Sequence, residues 1–289
     1  MFVNGFAFFT TLSRRIRLRT AEYTPVRTAE QLGKLLRRVI NLYARAGYTI
    51  TTVLMDQEFK CITNLISLIE VNTTAAREHV GKIERGIRTI KGRLCSILSP
   101  LKYKVLPRQD TIHLVYFAVM WLNSFPKKDG ISRVYSPREI MTRTRLNWDY
   151  HCRAEFGEYV EAYPHHEVTN TMRERAFTGV YLGPTGNRQG TVKVFDTATG
   201  MVKKAREFDR LPMPVSCIEL VNKWGQKDKK DTKRKKRLEF LNRNQEAYGW
   251  DNDKLDDEKP SGPIAHPELP AEIPGFLPTV SAQVAVVPP

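Results

Sequence analysis

Along residues 1–26 apolar and polar positions alternate in the two-residue rhythm of strands. Phe2 to Phe9 wraps an Asn4-Gly5 pair, a dipeptide that accepts the positive φ angles of a tight hairpin turn. Thr11 to Arg19 alternates apolar with basic residues, and Ala21 to Val26 predicts a third short strand. The period then lengthens. Thr28 is placed to cap a helix to about Ala46, with Leu32, Leu35, Leu36, Ile40 and Tyr43 on one face. Gly47 stops it, and the β-branched run Tyr48 to Met55 suits a buried central strand.

A short helix (Cys61 to Ser67) and a short strand (Leu68 to Asn72) follow. Thr74 then opens a long helix to Leu98, in which Val80, Ile83, Ile87, Ile90, Leu94 and Ile97 step by three and four into a continuous apolar stripe. Pro107 precedes another helix, Ile112 to Asn123, which Pro126 ends. This alternation predicts an α/β layer fold over residues 1–150. Between Phe156 and Pro214 short apolar runs are split by Gly and Pro, the texture of a small β-barrel or sandwich, here residues 151–215. Residues 216–289 read as a tail, basic at first, then acidic and Pro-rich, without the aromatic content of a packed core.

Composition narrows the partners. The 289 residues carry a formal charge of +15, with a pI near 9.7, which favours polyanions and nucleic acid before all others. No apolar run approaches the ~20 residues of a membrane span, and Met1 to Phe9 lacks the basic stretch that precedes a signal-peptide core. Cys61, Cys95, Cys152 and Cys217 form no C-x-x-C pair, which fits reduced thiols and a nuclear or cytoplasmic location. His151-Cys152 and His165-His166 match no common zinc spacing.

Two acids carry the candidate chemistry. Asp56 ends the predicted buried strand, where open α/β sheets place their ligands. Glu84 lies on the edge of the apolar stripe of the long helix, and at 100° per residue Arg77, Arg88 and Lys91 fall on the same flank. Carboxylates suit Mg²⁺ or Mn²⁺, which prefer hard oxygen ligands, and neighbouring cations can hold a phosphate backbone. The plain structural reading is an i,i+4 pair between Glu84 and Arg88, with Asp56 as a turn residue. Spacing alone leaves both open.

At these residues the chain resembles the integrases of Ty1/copia-type LTR retrotransposons. The likeness runs through Asp56, "HVGKIERGIRTIK", "AVMWLNSFP", "SPREIM", "EFGEYV", "GVYLGP" and "KVFDTATG", in consistent order over residues 1–214. It implies an RNase H-like core, a mixed sheet with flanking helices, followed by a small β-barrel-like domain and a disordered tail. It also implies a D,D,E metal triad that inserts element DNA into target DNA, with Asp56 as the second Asp and Glu84 as the Glu. Arg77, Arg88 and Lys91 become DNA-binding residues, Mg²⁺ or Mn²⁺ the cofactor, and a homo-oligomer the working form.

Three departures accompany the resemblance. The step from Asp56 to Glu84, 28 positions, is shorter than the family's usual spacing. The His/His/Cys/Cys module that usually precedes the core is missing. The first Asp falls, by family patterning, just upstream of Met1, and neither Glu22 nor Glu30 matches its position. Loss of one of three ligands removes most two-metal activity, so the expectation is an integrase fragment inactive as written, with a non-catalytic nucleic-acid-binding remnant as the alternative. Lys233, Arg234, Lys235, Lys236 and Arg237 form a basic run that reads as nuclear import, DNA binding or a solvated linker.

Overall fold

A computed structural model describes residues 1–55, 57–65, 69–73, 81–164, 175–233 and 279–285. The chain divides into two compact units, Met1–Gly225 with Pro278–Pro289, and Gln226–Leu277. The first unit holds two sheets.

In the first sheet, β1 (Phe2–Val3) and β2 (Phe6–Ser13) flank the Asn4-Gly5 turn, whose φ angles of 48° and 83° are the left-handed pair of a two-residue hairpin. β2 continues past Thr10, where the sequence suggested a break. It ends where the Ser13 Oγ accepts the Ile16 N–H and Arg17 takes a φ of 64°, so the chain turns at 14–17 and returns as β3 (Arg19–Tyr23). Helix α1 (Ala29–Arg45) follows, with the Thr28 side chain accepting from the Gln31 N–H. Then come β4 (Thr49–Met55), a 3-10 helix η1 (Gln57–Leu65) and β5 (Glu70–Thr73), parallel to β4.

Alternation along β2 sorts the two faces of the sheet. Phe9 joins Leu35, Leu36, Val39 and Tyr43 of α1, Val53 and Met55 of β4, and Phe59 and Ile62 of η1 in one core. Phe8 points the other way, edge-on to Tyr23 and to Tyr116 of α3 (Arg108–Asn123), and Leu12 meets Gly86 of α2 (Gly81–Leu98). The mixed sheet thus has helices on both faces, as the α/β pattern required.

Its middle lane is filled from the far end of the chain. β11 (Thr279–Ala285) lies antiparallel to Thr10–Ser13 of β2 and parallel to β4, so it joins the hairpin half of the sheet to the parallel half. Met1 pairs with Phe8 through both backbone groups on the same edge of β2, opposite β3.

Two short helices, α4 (Pro137–Thr142) and α5 (Trp148–His151), lead into the second sheet. Its strands are β6 (Tyr159–Tyr163), β7 (Phe177–Pro184), β8 (Val192–Asp196), β9 (Met201–Ala205) and β10 (Glu207–Arg210), all antiparallel, in the order β10-β6-β7-β8-β9. β9 and β10 stand at opposite ends of that order, yet Arg206 alone joins them. A flat sheet would separate its edges by roughly 19 Å, whereas two residues span at most ~7 Å. The sheet is therefore strongly curled. Its core holds Val160, Tyr181, Val194 and Phe208, and Phe117 of α3 packs against it, 5.6 Å from Phe156.

The expectation that order ends at Ser216 is corrected twice. β11 is one case, and α6 (Val215–Lys233) is the other. Cys217 and Val221 are buried, the Asn222 Oδ1 accepts the Lys104 and Val105 N–H groups, and the Trp224 Nε1–H donates to the Thr197 carbonyl. Of the second unit, the described residues are the remainder of α6 to Lys233.

Candidate metal and nucleic-acid site

Of the sequence-predicted site, β4 leads to position 56 and α2 carries Glu84, Arg88 and Lys91. Val53 and Met55 are fully buried and carry the strand to the level of position 56. On α2, Ile83, Ile87, Ile90 and Leu94 are buried, as the three-and-four spacing predicts, and Gly86 lets the helix settle on the sheet. A Cβ on Gly86 would lie 3.3 Å from the Leu12 Cδ2.

Glu84 projects from the rim of that buried stripe with a third of its side chain exposed. Its Oε2 lies 3.9 Å from the Arg88 Nη2, the i,i+4 pair of the plain structural reading. Arg88 and Lys91 are exposed on the same flank, so one carboxylate and two cations line one edge of α2. Asp56 and Arg77 lie outside the described residues, as do Arg234, Lys235, Lys236 and Arg237. Lys233 is described only as the last residue of α6. Among the described residues no group of three or more His, Cys, Asp or Glu gathers to hold a metal ion. Glu84 with its guanidinium partner does not make a divalent-cation site alone. His151 is no ligand either: its Nδ1 lies 2.7 Å from the Asn147 carbonyl and its Nε2 3.0 Å from the Asn187 carbonyl.

A second concentration of charge escaped the sequence reading. The Arg19 backbone exchanges two hydrogen bonds with the Asn123 side chain, pinning β3 to the end of α3. The Arg17 Nε–H donates to the Asp129 carbonyl, and its guanidinium pairs with the Asp129 carboxylate. These ties bring Arg17 and Arg19 to Lys127, and Arg93 of α2 joins them. Burial holds Lys127 below the ordinary lysine range, and the Arg19 and Arg93 charges push it further down against Asp129. Arg19 is lowered by burial and then by Arg17. Four cations thus act on one another beside a single carboxylate. Arg93 is 180° around α2 from Glu84, on the far side from the predicted site.

Two residues before Lys127, Phe125 joins Trp121 and Trp148 in a cluster of three aromatic rings. Trp121 and Trp148 have centroids 6.1 Å apart at 15°, and Phe125 lies 5.8 Å from Trp148 at 29°. Trp148 is 48% exposed and Phe125 50%.

No family model and no curated protein matches the chain. Among solved structures it is similar to the catalytic core domain of BIV integrase, with 22% identity over 50% of this chain and 90% of that one, at a TM-score of 0.37. It is also similar to a chain of the simian T-cell lymphotropic virus intasome in complex with PP2A regulatory subunit B56 gamma. There the identity is 14% over 69% of this chain and 70% of that one, at a TM-score of 0.33.

Proposed function

We propose that this chain is an integrase fragment of the Ty1/copia type, with an RNase H-like core and a barrel-like second module, that binds duplex DNA through the α2 flank without catalysing strand transfer. The observation that carries the reading is the placing of Glu84 on the rim of α2, beside Arg88 and Lys91, against a mixed sheet whose β4 runs into Asp56. The motifs from Asp56 to Pro214 support it by their order. Mg²⁺ or Mn²⁺ is the cofactor this lineage implies, with Asp56 and Glu84 as the residues to hold it. Lys233 to Arg237 would serve nuclear import, and a homo-oligomer would be the DNA-bound state.

The test is duplex binding and strand transfer measured side by side, with Mg²⁺ or Mn²⁺ supplied. We expect salt-sensitive duplex binding that falls when Arg88 and Lys91 are both replaced by Glu, and no strand transfer. Metal-dependent strand transfer abolished by Glu84→Gln would overturn the non-catalytic reading. Absence of duplex binding at low salt would sink the whole of it.

A further inference from the structure

We propose that Phe125 and Trp148, backed by Trp121, form a platform on which unpaired bases of single-stranded nucleic acid stack, while Arg93 and Lys127 hold the phosphates. This site stands apart from the α2 flank that carries Glu84.

The rings come first. Large aromatic side chains are worth most when both faces are covered. Here three rings from two separate segments lie against one another, Trp148 near-parallel to both Trp121 and Phe125 and those two tilted to each other, yet Phe125 and Trp148 each leave about half of their surface to solvent. The arrangement is held firmly. Phe125 lies two residues beyond the end of α3, which Asn123 ties to Arg19. Trp148 opens α5, where Asn147 caps the Asp149 N–H and His151 bridges to the Asn187 carbonyl. The exposed faces are therefore built in advance, and a flat π-system can dock without reordering them.

Charge decides which flat ligand fits. Lys127 is two residues beyond Phe125, and Arg19 is pinned to the same end of α3. Arg93 completes a cluster in which like charges act on one another, with Asp129 opposing them. Crowded cations beside open rings match the two needs of a single strand: stacking for each base and positive charge for each phosphate. A duplex keeps its bases stacked inside and offers none to these rings. An acidic peptide would use the cations and leave the rings idle.

The test uses the full chain and 12-residue oligonucleotides: oligo-dT, oligo-rU and an abasic strand of equal length. Tryptophan fluorescence should be quenched by oligo-dT or oligo-rU and not by the abasic strand, and whichever of the two binds tighter identifies the natural source. Trp148→Ala should weaken binding about tenfold with an unchanged salt slope, and Trp148→Phe should restore most of it. Lys127→Gln with Arg93→Gln should flatten the salt slope instead. Duplex affinity, which reads the α2 flank, should not move in either variant. Equal affinity for abasic and base-bearing strands, or full binding by Trp148→Ala, would overturn the proposal whatever the duplex result. Self-association lost in Trp148→Ala without any oligonucleotide binding would overturn it in favour of a contact between copies.

Discussion

The two sheets of the first unit are built on opposite plans. In the second sheet β6, β7, β8 and β9 follow one another in sequence and in space, so each strand pairs with the next along the chain. Only β10 reaches back, to β6. The first sheet draws its middle lane from residues 279–285 and sets it between strands that lie within the first 55 residues. Parallel pairing of β4 with β5 and β11 rules out tight hairpins on that side. Local pairing closes small loops and non-local pairing closes large ones, so the second sheet should form early and independently, and the first late and as a whole.

Removing residues 279–289 should set the two sheets apart most strongly. The first sheet then loses a strand paired on both edges, and the expected loss is a large part of a domain's total stability of about 5–15 kcal/mol. Hydrogen exchange should rise in Phe6–Ser13 and Thr49–Met55 while Phe177–Asp196 stays protected. Equal loss of protection in both sheets would show that they fold as one cooperative body.

Gly179→Ala reverses the direction of the damage. A Cβ there would stand 2.2 Å from the Phe195 carbonyl oxygen across the β7–β8 pair, a contact that only backbone movement relieves. About 3 kcal/mol should be lost from the second sheet, read as an earlier chemical-denaturation midpoint for the β6–β10 segment in exchange experiments. A midpoint that does not move would mean that β7 and β8 separate at no cost.

Acid provides the smallest and most selective probe. Asp196, at the end of β8, is buried, which raises its pKa. Lys203, the Thr199 hydroxyl and the Ala198 N–H all donate to it and outweigh that effect, so its carboxyl sits below the usual range. A lowered folded pKa adds stability above the unfolded value of ~3.9, and that stability fades as pH falls through the lower folded value. Asp196→Asn should cost about 2 kcal/mol at neutral pH and flatten the acid limb of the second sheet, leaving that of the first unchanged. An acid limb identical in both proteins would remove Asp196 from the account.

What could be read in the chain follows the same division. Asn4-Gly5, Thr28, the apolar run into Met55 and the stripe Ile83, Ile87, Ile90 and Leu94 are local signals, and each element stands where its signal lies. α6 was hidden because its apolar residues are sparse, and it is fastened by Asn222 and Trp224 to partners far away in sequence. β11 was hidden because a short run of small and β-branched residues after many prolines gives no hint of the two strands it joins. Glu84 was legible from its place on a helical stripe. Arg19, Arg93, Lys127 and Trp148 were not, since only tertiary structure brings four separate segments to one patch.

Met1 and Ala285 sit head to tail along one edge of β2, opposite Phe8 and Thr10. With residues 286–289 replaced by a bridge of one or two residues, that lane would become one unbroken strand, and the ring could be reopened at an exposed site such as the turn around Asn187. Such a circular permutant would begin with β8, β9 and β10, run β11 directly into β1 and β2, and end with β6 and β7, so the first sheet would become contiguous in sequence while the second became the non-local one.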